Sequence, residues 1–381
     1  MNLKLLCAIA AVGAAASLAS AAPWVGNIAV SQVDSGGTIT SGVGYTVRLR
    51  DYSATTAAAG FNQSFAFNSG ASGTRLVLSG SATSEGALTR SADGQYLSIA
   101  GYNAANATAA VNGAAANADR VYSLVPTTGN VNMNVVTAGS QATTYAANNI
   151  RSVVALDASQ AYISGTGSGT SNGVRFIDQT GPVNNRVSSL PTNIRNVNIF
   201  NNKVYFSSAS GANIGINTFD LALPTTTDSA TTSLLFGATS GTGTPSPYDF
   251  VFVTDSLCYV SDDRTAANGG GIQKWVKTGT TWAVAYTLNL STALTPIGMR
   301  GLAGEVNGDS IDLYAISADG TPRLVGVTDT LSAATVPASA VVSVLDTAAA
   351  GTVFRGVEII PAPGSIALMA LGGLLVARRR R

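Results

Sequence analysis

The chain has 381 residues, only 11% of them charged, a formal net charge of +1 and no histidine. Without histidine, nucleophile systems of the Ser-His-Asp and Cys-His kinds and imidazole metal sites are excluded. Apart from the last four residues, which are all arginine, the basic residues form no concentrated patch along the sequence, which argues against a nucleic-acid-binding protein.

The N-terminus has the layout of a secretory signal peptide. Lys4 precedes an apolar run from Leu5 to Ala16, and small residues follow as far as Ala19-Ser20-Ala21. This pattern predicts a signal peptide over residues 1–21 and export of the remainder. A transmembrane anchor is the weaker alternative, because the apolar run is shorter than the roughly 20 residues that a spanning helix needs.

The sequence pattern of residues 22–360 predicts one all-β domain. Short apolar runs alternate with clusters of Gly, Asn, Asp and Ser, and no convincing amphipathic helix interrupts them. A strand-like segment with arginine at one position recurs about every 50 residues, and strand-like runs follow each copy but the last. The arginines are Arg90, Arg151, Arg195, Arg300 and Arg355, and Asp249 occupies the place of a sixth.

This period predicts a β-propeller of four-stranded blades. Six blades fit the spacing, and seven remain open because the stretch before Gly86 is long enough for extra strands. The last segment, Phe354–Ile360, has no strands after it, and Asn27–Val33 has none before it. We therefore expect these two runs to pair and to close the ring, which would leave no open sheet edge.

The repeated arginines are the sharpest site prediction. The first strand of a propeller blade lines the central channel, so equivalent side chains on it form a ring. Two interpretations follow: the guanidinium groups line the channel and attract an anion, or they donate to carbonyls of the neighbouring blade and staple the ring. The simpler interpretation is the staple.

Other candidate sites are weaker. Trp275 and Trp282 flank a hairpin and could stack on sugar rings, although cross-strand packing explains them as well. Calcium is the one metal that the composition allows, through two groups of aspartates that lack the spacing of a defined calcium loop and also suit turns. The groups are Asp255, Asp262 and Asp263, and Asp309 and Asp312. Cys258 lies in a strand-like run and is expected to be a buried apolar residue.

The C-terminal residues 361–381 form a tripartite tail. Pro361-Ala362-Pro363 is followed by an apolar segment from Ile366 to Ala377 and by Arg378, Arg379, Arg380 and Arg381. The apolar segment is short for a membrane span, but snorkelling arginine stems extend it, and the arginines favour the cytoplasmic side. Without both ends the domain holds 16 basic and 20 acidic residues, a formal charge of −4.

This tail resembles the PEP-CTERM sorting signal, with alanine at the position where that family usually has glutamate. The resemblance implies an exosortase-type processing enzyme as a partner and attachment to the membrane through the tail. An ordinary C-terminal membrane anchor is the alternative. The whole pattern resembles exported bacterial β-propeller proteins that carry this kind of tail, which places the protein at the cell envelope, the cell surface or the extracellular matrix.

The function predicted from these features is that of a non-catalytic scaffold that binds an extracellular polysaccharide or a surface protein. No cofactor is expected apart from calcium. The competing hypothesis is a metal-dependent or carboxylate-based hydrolase acting on envelope polysaccharide. Its acids would come from the aspartates and from Glu85, Glu305 and Glu358. Convergence of three or more carboxylates on one concave face would favour an enzyme or a calcium site, and aspartates scattered at turns would favour the scaffold.

Overall fold

The computed structural model describes residues 24–25, 27–53, 60–237, 243–288 and 297–360. The predicted signal peptide and the tail beyond Ile360 lie outside this part of the chain. Within it, the helical structure consists of three 3₁₀ turns, Ala114–Ala116, Gly211–Asn213 and Ala266–Asn268. None of the described helices is long and apolar enough to span a bilayer.

The described chain is built almost entirely of strands and connecting turns. The first eight strands are β1 (Ile28–Asp34), β2 (Gly44–Tyr52), β3 (Gln63–Ala66), β4 (Val77–Ser79), β5 (Thr89–Arg90), β6 (Tyr96–Tyr102), β7 (Arg120–Pro126) and β8 (Val135–Gly139). The next eight are β9 (Ile150–Ala155), β10 (Gln160–Gly165), β11 (Val174–Asp178), β12 (Val183–Ser188), β13 (Ile194–Phe200), β14 (Lys203–Ser208), β15 (Gly215–Phe219) and β16 (Thr232–Phe236). The remaining strands are β17 (Pro247–Thr254), β18 (Leu257–Asp262), β19 (Gly271–Thr278), β20 (Thr281–Leu288), β21 (Met299–Asn307), β22 (Ser310–Ser317), β23 (Arg323–Thr330), β24 (Ser343–Thr347) and β25 (Thr352–Ile359).

Strands β9 to β24 form four separate antiparallel sheets of four strands each, in chain order. We call them blade C (β9–β12), blade D (β13–β16), blade E (β17–β20) and blade F (β21–β24). Blade E is the meander that the sequence predicted between Tyr248 and Leu288, and its outer strand β20 alternates between more and less exposed side chains. The all-β, propeller-like class predicted from the sequence is therefore correct.

The remaining nine strands form one continuous sheet. It contains two four-stranded units, blade A (β25, β1, β2 and β3) and blade B (β5–β8), joined by the short strand β4. Val77 of β4 pairs with Thr46 of β2 on one side and with Tyr102 of β6 on the other. The extra strand accounts for the length of the N-terminal stretch.

The two ends of the domain meet in blade A. β1 pairs antiparallel with β25, from Ile28 opposite Ile359 to Asp34 opposite Thr352. The amide of Ile360 extends the pairing by donating to the carbonyl of Asn27 at 2.8 Å. These are the two runs that the sequence left without partners.

Buried apolar side chains lie between successive blades. Val154 and Tyr162 of blade C pack with Val197 and Phe206 of blade D, and equivalent clusters lie between the other neighbours. The cluster between blades F and A contains Ile316 of β22 and Val357 of β25. Each blade thus has an apolar face on both sides, as propeller packing requires.

The turn at Ser91-Ala92-Asp93-Gly94 has the expected chemistry. The hydroxyl of Ser91 donates to Asp93 Oδ1 at 2.6 Å, and the amide of Gly94 donates to the carbonyl of Ser91 at 2.8 Å. Gly94 has a φ of 74°, a conformation that glycine adopts without strain. This turn sets the short hairpin between β5 and β6.

Candidate functional site

The first strands of the blades carry a recurring β-bulge near their N-terminal ends. In β13 the register shifts between Ile194 and Val197, and in β21 between Met299 and Leu302. The bulge places two residues opposite one, which bends the strand and re-aims its side chains. The equivalent irregularities fall at Arg151 in β9, at Tyr248-Asp249 in β17 and opposite Ser31 in the pairing of β25.

A serine on the second strand links each of three bulges to the next blade. Ser261 Oγ accepts from the amide of Asp249 in its own blade, at 2.9 Å, and donates to the carbonyl of Arg300 in blade F. Ser207 makes the same pair of bonds between blades D and E, with the amide of Asn196 and the carbonyl of Tyr248. We call this arrangement the serine bridge.

The third serine bridge joins blades A and B. Ser31 Oγ accepts from the amide of Gly356 at 2.8 Å and donates to the carbonyl of Gly86 at 2.6 Å. The sequence analysis missed these serines. A small polar residue at the same position of successive second strands, Phe206-Ser207 and Val260-Ser261, was the signal that could have revealed them.

Three of the five repeated arginines converge on one cavity. Arg195, Arg300 and Arg355 line this small cavity, of about 20 Å³, together with Tyr248, and we call this group the arginine mouth. The guanidinium of Arg195 stacks 3.9 Å from the ring centroid of Tyr248, and that of Arg300 lies 5.7 Å from it. Arg151 lies one blade away, and its Nη1 donates to the side chain of Asn193.

The arginines also contact carbonyls of the following blade. Arg151 Nη1 donates to Ile194 at 3.2 Å, and Arg195 Nη1 donates to Pro247 at 3.2 Å. Arg355 Nη2 donates to Gly80 at 2.6 Å. This is the geometry that a staple requires, and Arg195 and Arg355 also reach the cavity, so both sequence interpretations remain predictions.

Arg90 does not belong to this group. Arg90 pairs with Leu97. The amide of the following residue, Ser91, donates to the carbonyl of Tyr96. In blade C the corresponding residue is Ala155, which pairs with Ala161 four residues after Arg151. Arg90 therefore lies toward the C-terminal end of its strand and lines a different cavity, of about 220 Å³, with Glu358 and Asn198.

Two buried carboxyl groups also line the arginine mouth. Glu85 is 1% exposed and accepts hydrogen bonds from the hydroxyl of Tyr102, the side chain of Asn149 and the amide of Ser79. Burial raises the pKa of Glu85 above its usual value. Because both oxygens are occupied, this carboxyl is placed for structure more than for acid-base chemistry.

The arginine position in blade E is held by Tyr248 and not, as the sequence suggested, by Asp249. Pro247 and Phe250 pair as Ile194 and Val197 do in blade D, so Asp249 corresponds to Asn196. Asp249 Oδ2 accepts from the amide of Leu302 at 3.1 Å, and its Oδ1 accepts from its neighbour Phe250 at 2.8 Å and from the side chain of Asn196. Burial raises the pKa of Asp249 to about 8, against the lowering effect of the two amides. The side chain thereby links blade E to blades D and F.

The two tryptophans lie in or against the core. Trp275 is 2% exposed, and its ring lies 4.7 Å from that of Phe236 between blades D and E. Trp282 packs against the same phenylalanine, also at 4.7 Å. The predicted sugar stacking by Trp275 does not fit this position, because neither face of its ring is open. Cys258 is fully buried in the same cluster.

The aspartates proposed for calcium are separated and already paired. Asp262 is fully buried and bonds to Arg264, whereas Asp263 lies 3.3 Å from Arg300. Asp309 accepts from Ser332 at 2.6 Å and Asp312 from Asn307 at 2.9 Å. Among the described residues, no three Cys, Asp or Glu side chains converge as a metal site would require.

Comparisons with solved structures yield distant likenesses. No protein-family model matches the chain, and no curated protein matches it in sequence. Among solved structures, a periplasmic gluconolactonase from Pseudomonas aeruginosa is 12% identical, with a TM-score of 0.40 over 84% of this chain and 82% of that one. TolB from Acinetobacter baumannii is also 12% identical, with a TM-score of 0.40 over 88% of this chain and 68% of its own.

Proposed function

We propose that this protein is an exported six-bladed β-propeller that acts at the cell surface or in the extracellular matrix as a non-catalytic binding scaffold. The six four-stranded units, and the apolar clusters between successive units, support the blade number. The pairing of β1 with β25 supports closure, which would remove the two exposed sheet edges of an open array.

The observation that supports the scaffold role is that the buried polar groups near the first strands bond to the protein itself. Ser31, Ser207 and Ser261 bridge neighbouring blades, and Glu85 and Asp249 accept backbone amides with their carboxylates. An acid-base catalyst needs a carboxyl free to exchange a proton with a substrate. Here the buried acids hold the blades together, so the ring is a rigid platform and its loops provide the variable surface.

Export and attachment rest on the two ends of the sequence. The layout of residues 1–21 supports secretion, and Pro361-Ala362-Pro363 with the terminal arginines supports sorting by an exosortase-type enzyme or retention in the membrane. Intact-mass measurement of the protein from producing cells tests this: we expect Ala22 as the first residue. A mature protein that retains Met1, or a soluble form ending at Arg381, would contradict the proposal.

A binding screen of the mature protein against extracellular polysaccharides and surface proteins, with and without calcium, tests the scaffold role. Binding without turnover of the bound polymer is the expected result. If size-exclusion chromatography shows that the protein shortens a polysaccharide, the hydrolase is favoured instead.

A further inference from the structure

The arginine mouth has more hydrogen-bond donors than the protein uses. A guanidinium carries five N–H donors. Arg355 uses one of its nitrogens, for Gly80, and its buried Nε has no partner in the described part of the chain. Arg300 uses Nε for Asp263, and Arg195 uses Nη1 for Ser246 and Pro247. Several donors therefore face the cavity or its rim.

Positive charge at the mouth also exceeds the negative charge that compensates it. Asp263 is the one carboxylate paired there, at 3.3 Å from Arg300 and 4.0 Å from Arg195. Arg355 is only 6% exposed. Even so, no carboxylate among the described residues lies within ion-pair distance of its guanidinium group. The carboxyl groups of Glu85 and Asp249 accept hydrogen bonds from other groups, and within the described residues neither forms an ion pair with these arginines.

We propose that the arginine mouth binds a small oxyanion: a carboxylate, sulfate or phosphate group, free or as the acidic end of a larger molecule. Guanidinium groups match the geometry of such groups through paired N–H donors. The cavity itself is small, about 20 Å³, which leaves room for a single small group at its rim and excludes a polymer chain.

The cavity meets solvent at its rim. The side chains of Arg195 and Arg300 are 16% and 19% exposed and lie on the rim, whereas Arg355 lies deeper. The ring of Tyr248 supports Arg195 from behind, and its hydroxyl lies 3.1 Å from Thr83 Oγ1. The donors are thus held in place before a ligand arrives, which lowers the entropic cost of binding.

Calorimetric titration of the protein with sodium sulfate, phosphate, glucuronate and chloride at matched ionic strength tests the proposal. We expect one bound oxyanion per chain, and binding at least ten-fold weaker in Arg300→Gln. Arg90→Gln, which changes the cavity at the other end of its strand, is the matched control and should stay within two-fold of the parent. Glucuronate above sulfate would identify a sugar acid as the source, and equal affinities would identify the oxyanion alone.

If the circular-dichroism spectrum shows that Arg300→Gln does not fold, Arg195→Gln is the second test variant. The proposal is wrong if no oxyanion binds more tightly than chloride. It is equally wrong if binding persists unchanged in a folded Arg300→Gln or Arg195→Gln protein, or if Arg90→Gln is the variant that loses it.

Discussion

The ammonium group of Lys274 lies 3.6 Å from the carboxylate of Asp329, and both side chains are fully buried. Lys274 is on β19 of blade E and Asp329 is on β23 of blade F, so the pair joins two blades. The lysine also donates to the carbonyls of Thr330 and Ala333, at 2.7 and 2.9 Å, and the hydroxyl of Tyr259 donates to Asp329 at 2.6 Å. The pair is thus embedded in a satisfied polar network between two apolar surfaces.

Breaking this pair should be costly. Lys274→Met leaves Asp329 buried without its cation, and we expect a loss of about 3–5 kcal/mol in the free energy of unfolding. Urea denaturation followed by tryptophan fluorescence measures it. Arg48→Gln is the control, because its pair with Asp34 is partly exposed and should contribute less than about 1 kcal/mol. Equal effects of the two substitutions would contradict the structural role of Lys274.

The serine bridge predicts a contrast between equivalent positions. Ser261→Ala leaves the amide of Asp249 and the carbonyl of Arg300 without their partner, and we expect it to destabilise the fold by about 1–3 kcal/mol. Ser164 occupies the same position in blade C, but its buried hydroxyl has no partner in the described residues. Ser164→Ala should therefore be nearly neutral in the same denaturation experiment. A larger loss for Ser164→Ala than for Ser261→Ala would refute the bridge.

Removal of the N-terminal strands tests closure. Deleting residues 22–60 takes away β1 and β2, leaving β25 without its partner and Val357 exposed. We expect the remaining chain to aggregate or to lose its cooperative thermal transition, because an open edge and an uncovered core face are both liabilities. A cooperative melt near that of the parent would count against a closed ring.

Asp249 should make the stability of the protein depend on pH. Its pKa of about 8 in the folded state is above its value in the unfolded chain, so the stability that it contributes is full below the unfolded value, decreases as the pH rises from there, and is lost once the pH has passed 8. Between pH 7 and 9 we expect the free energy of unfolding to fall by about 1.4 kcal/mol through this group. Denaturation at pH 6, 7, 8 and 9 measures the slope.

Asp249→Asn removes the titrating carboxyl and should flatten this slope, even if the variant is less stable at every pH. The informative quantity is therefore the difference between the two slopes. Parallel profiles for the parent and the variant would show that the carboxyl does not titrate in this range.

The sequence by itself determined the strands and most of their grouping. Alternation of apolar and polar residues, with Asp-Gly turns such as Asp93-Gly94, is a local property that identifies strands before any tertiary contact is known. The repeat of about 50 residues identified the four-stranded units, and the unpartnered runs at Asn27–Val33 and Phe354–Ile360 predicted their pairing, which the structure contains.

The tertiary structure decided which side chains meet. Arg90 matches the other arginines in local sequence, but its pairing with Leu97 places it four residues further along the strand than Arg151. The burial of Trp275 depends likewise on Phe236 from another blade. Register, bulges and packing between blades arise from contacts between distant segments, and a one-residue shift moves a side chain to the opposite face. Local sequence similarity therefore predicts a strand without predicting what its side chains contact.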